Sequence, residues 1–243
     1  MKLVFIRHGE PDYTIDGLTE KGKVEADLLA QRLRDFPMDH IYVSPLGRAK
    51  QTAEPTLKLL QREAVECEWL KEFPPLIQRP DREEGNMSIA WDWMPKDWTC
   101  VPDFYTYENW MKHPVMVAGK VGEEYARVTG HFEELLKKHG YEKSGNLFLA
   151  KEPSNDTVVF FCHFGVTAVL LSYLLHVSPM ILWHGMVMPP SSVTVIATEE
   201  RQKGYASFRI NLFGDVSHLT QDHEPVSFAA RFCECYDNAD ERH

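Results

Sequence analysis

Two stretches of this chain share one layout, a run of β-prone apolar residues that ends in histidine and glycine. The first is Lys2 to Ile6, followed by Arg7-His8-Gly9; the second is Thr157 to Phe161, followed by Cys162-His163-Phe164-Gly165. A short uninterrupted apolar run reads as a strand buried on both faces, the kind found in a parallel sheet covered by helices. In open sheets of that type the ligand lies at the C-terminal edge of the strands. Both histidines are therefore delivered to the same edge, and if the strands are neighbours the rings face each other across one pocket.

The remaining pattern fits an α/β chain, and the fold it predicts is a three-layer α/β/α sandwich with a mainly parallel sheet. Gly22, Ala26, Leu29, Ala30 and Leu33 recur at helical spacing behind Thr19, which reads as the N-cap. His40 to Val43 reads as a strand, and Ser44-Pro45 as the cap and first position of a helix carrying Arg48 and Thr52 on one face. Pro55 is expected to kink or split that helix. Residues 65 to 70 give a weak strand. From about 76 to 118 the pattern turns irregular and aromatic, with Trp91, Trp93, Trp98, Phe104, Tyr105, Tyr107 and Trp110. A helix from Val121 stops at Gly140, another follows His163 through Leu175, and Ser192 to Thr198 and Ala206 to Leu212 read as strands. An acidic tail after about Ala229 is expected to fray.

Length and composition are those of one globular domain, 1–243, with an insertion at about 76–118. That insertion is expected either to lie over the active-site edge, to form a small second core, or to serve as a dimer contact, since Trp and Tyr suit all three. The formal charge of −10 excludes a broad basic surface for nucleic acid or anionic membrane. Met1 to Arg7 lacks the apolar core of a secretion signal. Val166 to Val177 is too short to cross a bilayer, which takes about 20 residues. Five cysteines without a framework spacing fit free thiols, so a cytoplasmic location is expected. Oligomeric state is left open.

The chemistry follows from what meets at the edge. Arg7 adjoins His8, Arg48 opens a helix behind another strand, and the helix starting near Gly165 points its free N–H groups and positive dipole end the same way. Guanidinium groups match phosphate oxygens in bidentate fashion and stay charged. A neutral imidazole beside them can act as a nucleophile and divide phosphoryl transfer into two easier steps. Cys233 and Cys235, with His218 and His223 upstream, lack the paired spacing of a zinc site, so neither metal nor cofactor is expected. A cysteine phosphatase needs an arginine six positions after its nucleophile. Phe73, Thr106, Ala168, Ala239 and Glu241 occupy those places, which removes that reading.

Ile6-Arg7-His8-Gly9-Glu10 resembles the RHGE signature of the phosphoglycerate-mutase-like, or histidine phosphatase, superfamily. Ser44-Pro45-Leu46-Gly47-Arg48-Ala49-Lys50-Gln51-Thr52-Ala53 is similar to its second motif, and Cys162-His163-Phe164-Gly165 to its third. Looser likenesses, in the family's order, are Leu18-Thr19-Glu20-Lys21-Gly22, Leu70-Lys71-Glu72 and Val216-Ser217-His218-Leu219. The resemblance implies that His8 accepts the phosphoryl group, that Arg7, Arg48 and His163 form the phosphate pocket, and that Glu72 protonates the leaving oxygen and later activates water. It implies no metal and a small phosphomonoester as substrate. Thr14 stands where the family often has Asn, and with Gly165 it joins the expected substrate-binding set. The stretch from Glu10 to Leu18 is short, and nothing resembles the paired-arginine insert of true mutases. Phosphatase activity is therefore the leading expectation, with a mutase and a non-catalytic phospho-ligand module as alternatives.

Overall fold

The computed structural model describes residues 1–230 and 233–240. Strand β1 (Lys2–Arg7) runs into a small hairpin, β2 (Pro11–Asp12) and β3 (Gly17–Leu18), and then into α1 (Glu20–Leu33). Thr19 caps α1: its hydroxyl accepts the Gly22 N–H at 3.0 Å. β4 (His40–Val43) leads to α2 (Gly47–Leu60), where two expectations are corrected. Ser44 does not cap this helix and Pro45 is not its first residue. The helix opens at Gly47, whose N–H donates to Asp16 Oδ2 at 2.7 Å. Nor does Pro55 split it, because Thr52, Ala53 and Thr56 on both sides of the proline are buried, and packing rather than propensity decides.

After β5 (Val65–Glu66), the stretch read as irregular holds a hairpin, β6 (Leu76–Gln78) and β7 (Met87–Ile89), and short helices including α3 (Pro95–Trp98) and α4 (Pro114–Ala118). Then come α5 (Val121–Lys138), a hairpin of β8 (Tyr141–Ser144) and β9 (Leu147–Ala150), β10 (Thr157–Cys162), α6 (Phe164–Leu175) and α7 (Pro179–Gly185). Two long strands, β11 (Val193–Gln202) and β12 (Tyr205–Asp215), and α8 (Ser217–Gln221) follow. The β8–β9 hairpin and α7 had no clear sequence signal. Of the tail, Glu234 to Asp240 are exposed; residues 231, 232 and 241–243, on which the expectation of fraying also falls, lie outside the described residues.

One eight-stranded sheet has the order β5-β4-β10-β1-β11-β12-β9-β8. It is parallel from β5 to β1 and antiparallel beyond, so the parallel half is the half that carries both histidines. β1 and β10 are neighbours, with Ile6 opposite Phe161 and Arg7 opposite Cys162. Alternation along β1 places helices on both faces. Val4 and Ile6 pack with Leu29 and Leu33 of α1 and Ala53 of α2, while Leu3 and Phe5 pack with Phe132 of α5 and Val169 of α6. The 76–118 segment contributes Ile77, Ala90, Trp93, Phe104, Trp110 and Met116 to that second cluster, so it shares the core instead of enclosing its own. Among the described residues, no helix is long and apolar enough to cross a membrane.

Candidate active site

Because β1 and β10 end side by side, His8 and His163 stand with ring centroids 5.1 Å apart, both buried. His8 Nδ1 lies 2.7 Å from the Gly9 carbonyl, which can only accept, so Nδ1 carries the proton and Nε2 keeps a free lone pair. Burial, reinforced by the charges of Arg7 and Arg48, pushes the His8 pKa down to about 3. The ring is neutral at any ordinary working pH. His163 is likewise held well below its usual value, by burial first and then by His8 and the two arginines. Its Nε2 is 2.7 Å from Ser44 Oγ, and its Nδ1 is a buried atom without a partner among the described residues. Ser44, read from sequence as a helix cap, instead orients this ring.

Arg7 donates from Nη1 to the Met188 carbonyl at 2.5 Å, and its buried Nε has no partner among the described residues. Arg48 is buried, with its Nε unpartnered among the described residues, while its Nη1 donates to Asp16 Oδ1 at 2.6 Å. Asp16 therefore ties together two groups at the start of α2, the Gly47 N–H and the Arg48 guanidinium. It does so from a left-handed backbone conformation, φ 46°, at the tip of the β2–β3 hairpin. Only a glycine at 47 admits this contact, since a Cβ there would sit 2.1 Å from the Asp16 carbonyl oxygen.

Glu72 lies at the mouth of the same edge. Its Oε1 accepts the N–H of Phe73 at 2.8 Å and of Val166 at 2.9 Å, and its Oε2 accepts that of Gly165 at 3.2 Å. Burial raises its pKa above the usual carboxylate range, against those three N–H groups and the charge of Arg7. The first N–H groups of α6 are thus taken by Glu72, which corrects the expectation that they point at the anion. Gly165 has its place for a steric reason: a Cβ would fall 2.7 Å from both Glu72 Oε1 and Trp91 Nε1. Thr14 is exposed, and both its N–H and hydroxyl donate to Asp12 Oδ1 at 2.9 and 2.5 Å, so it does not join the converging donors.

The chain matches the model of the histidine phosphatase superfamily (branch 1) over residues 3–211. It belongs to that superfamily. A phosphoserine phosphatase of Hydrogenobacter thermophilus is 29% identical over 215 residues, covering 83% of this chain and 89% of that one. A probable phosphatase of Schizosaccharomyces pombe is 24% identical over 91% of this chain and 97% of its own. The structure of a phosphoserine phosphatase mutant from Entamoeba histolytica, in complex with phosphoserine, superposes with a TM-score of 0.58 at 21% identity, covering 90% of this chain and 98% of that one.

In this histidine phosphatase a further set of buried groups fixes the loop that carries His8. The Gly9 N–H donates to Thr52 Oγ1 at 2.9 Å, and the Glu10 N–H to the buried Glu25 Oε2 at 2.7 Å. The His8 carbonyl accepts the Ser191 N–H at 3.0 Å. Ser191 is in turn held by His218: Arg32 can only donate to His218 Nδ1 at 3.3 Å, so the proton is on Nε2, which donates to Ser191 Oγ at 3.0 Å. Sequence reading missed Asp16, Glu25 and Ser191. Glu25 was legible only as a helix residue, and its four-residue spacing from Leu29 on the apolar face was the available sign of burial.

Proposed function

We propose that this enzyme hydrolyses a small phosphomonoester in two steps through a phosphohistidine at His8. The observation that carries the reading is the state of that ring, neutral, with Nδ1 hydrogen-bonded to Gly9 and Nε2 bare, beside the half-buried Arg7 and the buried Arg48, each with donors to offer. Arg7, Arg48 and His163 would hold the phosphoryl oxygens. Nε2 then attacks phosphorus as the bond to the alcohol breaks, and protonated Glu72 gives its proton to the leaving oxygen. The Glu72 carboxylate next takes a proton from the water that attacks the phosphohistidine. Phosphate leaves, and His8 returns neutral.

Beyond Arg7 lies a cavity of about 630 Å³ lined by Trp91, Asp92, Phe164, Trp183 and the segment 184–188. Trp91 and Asp92 belong to the 76–118 insertion, and this supports reading the insertion as a cap over the leaving group. Among the described residues the cavity lining has no second arginine or lysine for another phosphate, which favours hydrolysis over a mutase reaction. We also assign the enzyme to the reducing cytoplasm, since Cys67, Cys100, Cys162, Cys233 and Cys235 are all free. The deciding experiment is to quench the enzyme during turnover of a ³²P-labelled ester. An acid-labile, base-stable label is expected on wild type and none on His8→Ala, which should also lose turnover. Hydrolysis that survives His8→Ala refutes the reading.

A further inference from the structure

The leaving-group cavity has a chemistry of its own. Trp91 and Phe164 meet edge to face at 5.8 Å along its wall, and Trp183, Met186, Val187 and Met188 continue the apolar surface. Trp91 also stands against the acid. Its indole N–H donates to the Phe73 carbonyl at 3.0 Å, one residue from Glu72, and ring and carboxylate crowd the same face of Gly165. An alcohol whose oxygen receives the Glu72 proton therefore has its carbon skeleton against this wall.

The polar groups of the cavity decide what that skeleton can carry. Among the described residues Arg7 is the only arginine or lysine in the lining, and the phosphoryl group claims it. His184 is no cation: Nδ1 donates to the Met180 carbonyl at 2.7 Å, Nε2 accepts the Trp93 N–H at 3.2 Å, and burial lowers its pKa. Asp92 is an anion at the rim. Its partner Arg79 is fully buried and already held by both oxygens of Asp81 at 2.8 and 2.6 Å, with Asp92 at 2.7 Å. Arg82 Nε also lies 4.0 Å from Asp81 Oδ2, so the two carboxylates and two guanidinium groups balance one another and leave no spare cation facing the cavity. A carboxylate on the alcohol would meet Asp92 and no free cation, losing solvation without gaining a partner.

We propose that the substrate is the phosphate ester of an apolar alcohol without a carboxylate, with Trp91, Phe164, Met186 and Asp92 setting that preference. This deepens the phosphatase reading and rests on it, and it separates this enzyme from relatives named for phosphoserine. The test compares kcat/KM for four alkyl esters, so that leaving-group basicity contributes little: ethyl phosphate, 2-phenylethyl phosphate, phosphoserine and 3-phosphoglycerate. The phenylethyl ester is expected to lead both carboxylated esters by about 100-fold or more, as apolar contact and an unpaired carboxylate act in the same direction. Met186→Arg, which adds a cation to the wall, is expected to narrow that gap at least tenfold when each ester is referred to ethyl phosphate with the same variant. Equal or better turnover of phosphoserine or 3-phosphoglycerate by wild type overturns the proposal and leaves the phosphatase reading intact. Failure to hydrolyse any of the four overturns both. A gap that Met186→Arg does not alter refutes the assignment of the preference to this cavity.

Discussion

Replacing Glu72 with glutamine keeps the shape of the side chain and removes the proton it can give. Its Oε1 can still accept from Phe73 and Val166, but an amide nitrogen in the place of Oε2 would point a donor at the Gly165 N–H 3.2 Å away. Two donors facing each other in a buried site should cost about 1–3 kcal/mol of stability. Loss of general acid–base catalysis should lower kcat by about 10²–10⁴ for an alkyl ester, equivalent to roughly 3–5 kcal/mol in the barrier. With a nitrophenyl ester the leaving group departs without a proton, so the first step should be spared and phosphohistidine should accumulate, since the second step also needs this carboxylate. Burst kinetics with both esters, alongside urea melts, measure all three quantities. Equal losses with alkyl and nitrophenyl esters and no accumulated intermediate would show that Glu72 is not the acid, and that its three N–H contacts serve only to close α6.

Activity should require His8 neutral and Glu72 protonated. The rate is then expected to fall on the acid side near the His8 value of about 3 and on the alkaline side above the ordinary carboxylate range, and a profile governed only by a group near neutrality would contradict this. Stability carries the same signs. The depressed His8 pKa gives stability that is present above the usual histidine value and lost as pH falls toward about 3, so urea midpoints should drop between about pH 7 and pH 4, and less so in His8→Asn. Gly165→Ala should push Glu72 off its three donors, reduce kcat by about 10²-fold and, by leaving N–H groups unpaired, cost about 1–3 kcal/mol of stability; an active variant would undo the close-approach argument. Asp16→Ala removes both the acceptor for the Gly47 N–H and the tether of Arg48, so a loss of about 1 kcal/mol together with a raised KM is expected in melts and steady-state kinetics.

The strand-borne part of the site was legible because strand geometry is local. Two apolar runs ending in histidine announce their own edge, and parallel pairing of β1 with β10 then leaves the two rings little freedom. Arg48 was legible through the motif it sits in. Asp16, Glu25 and Ser191 were not, because each acts across a fold contact: Asp16 reaches α2 from a hairpin tip, Glu25 reaches the Glu10 N–H from α1, and Ser191 reaches the His8 carbonyl from the segment before β11. The β8–β9 hairpin failed for another reason. Its strands are short, and Glu142 and Ser144 are exposed, so alternation had too few positions to rise above the surrounding loop. Pro55 does not split α2 because the buried face on both sides of it holds the helix together.

Burial alone would push both imidazole and carboxyl toward their neutral forms, and here it supplies the two states that the reaction needs. For His8, burial and the positive charges of Arg7 and Arg48 act in the same direction, so the groups proposed to hold the phosphate also keep the proposed nucleophile unprotonated. For Glu72 the terms oppose one another. Arg7 and three backbone N–H groups favour the carboxylate, and burial beside Trp91 outweighs them. Glu72 Oε1 and Trp91 Nε1 both lie 2.7 Å from where a Cβ on Gly165 would stand, so in the proposed reaction the insertion borders the acid as well as the alcohol. A base driven down and an acid driven up at one edge is the arrangement that lets both hold their working states at one pH.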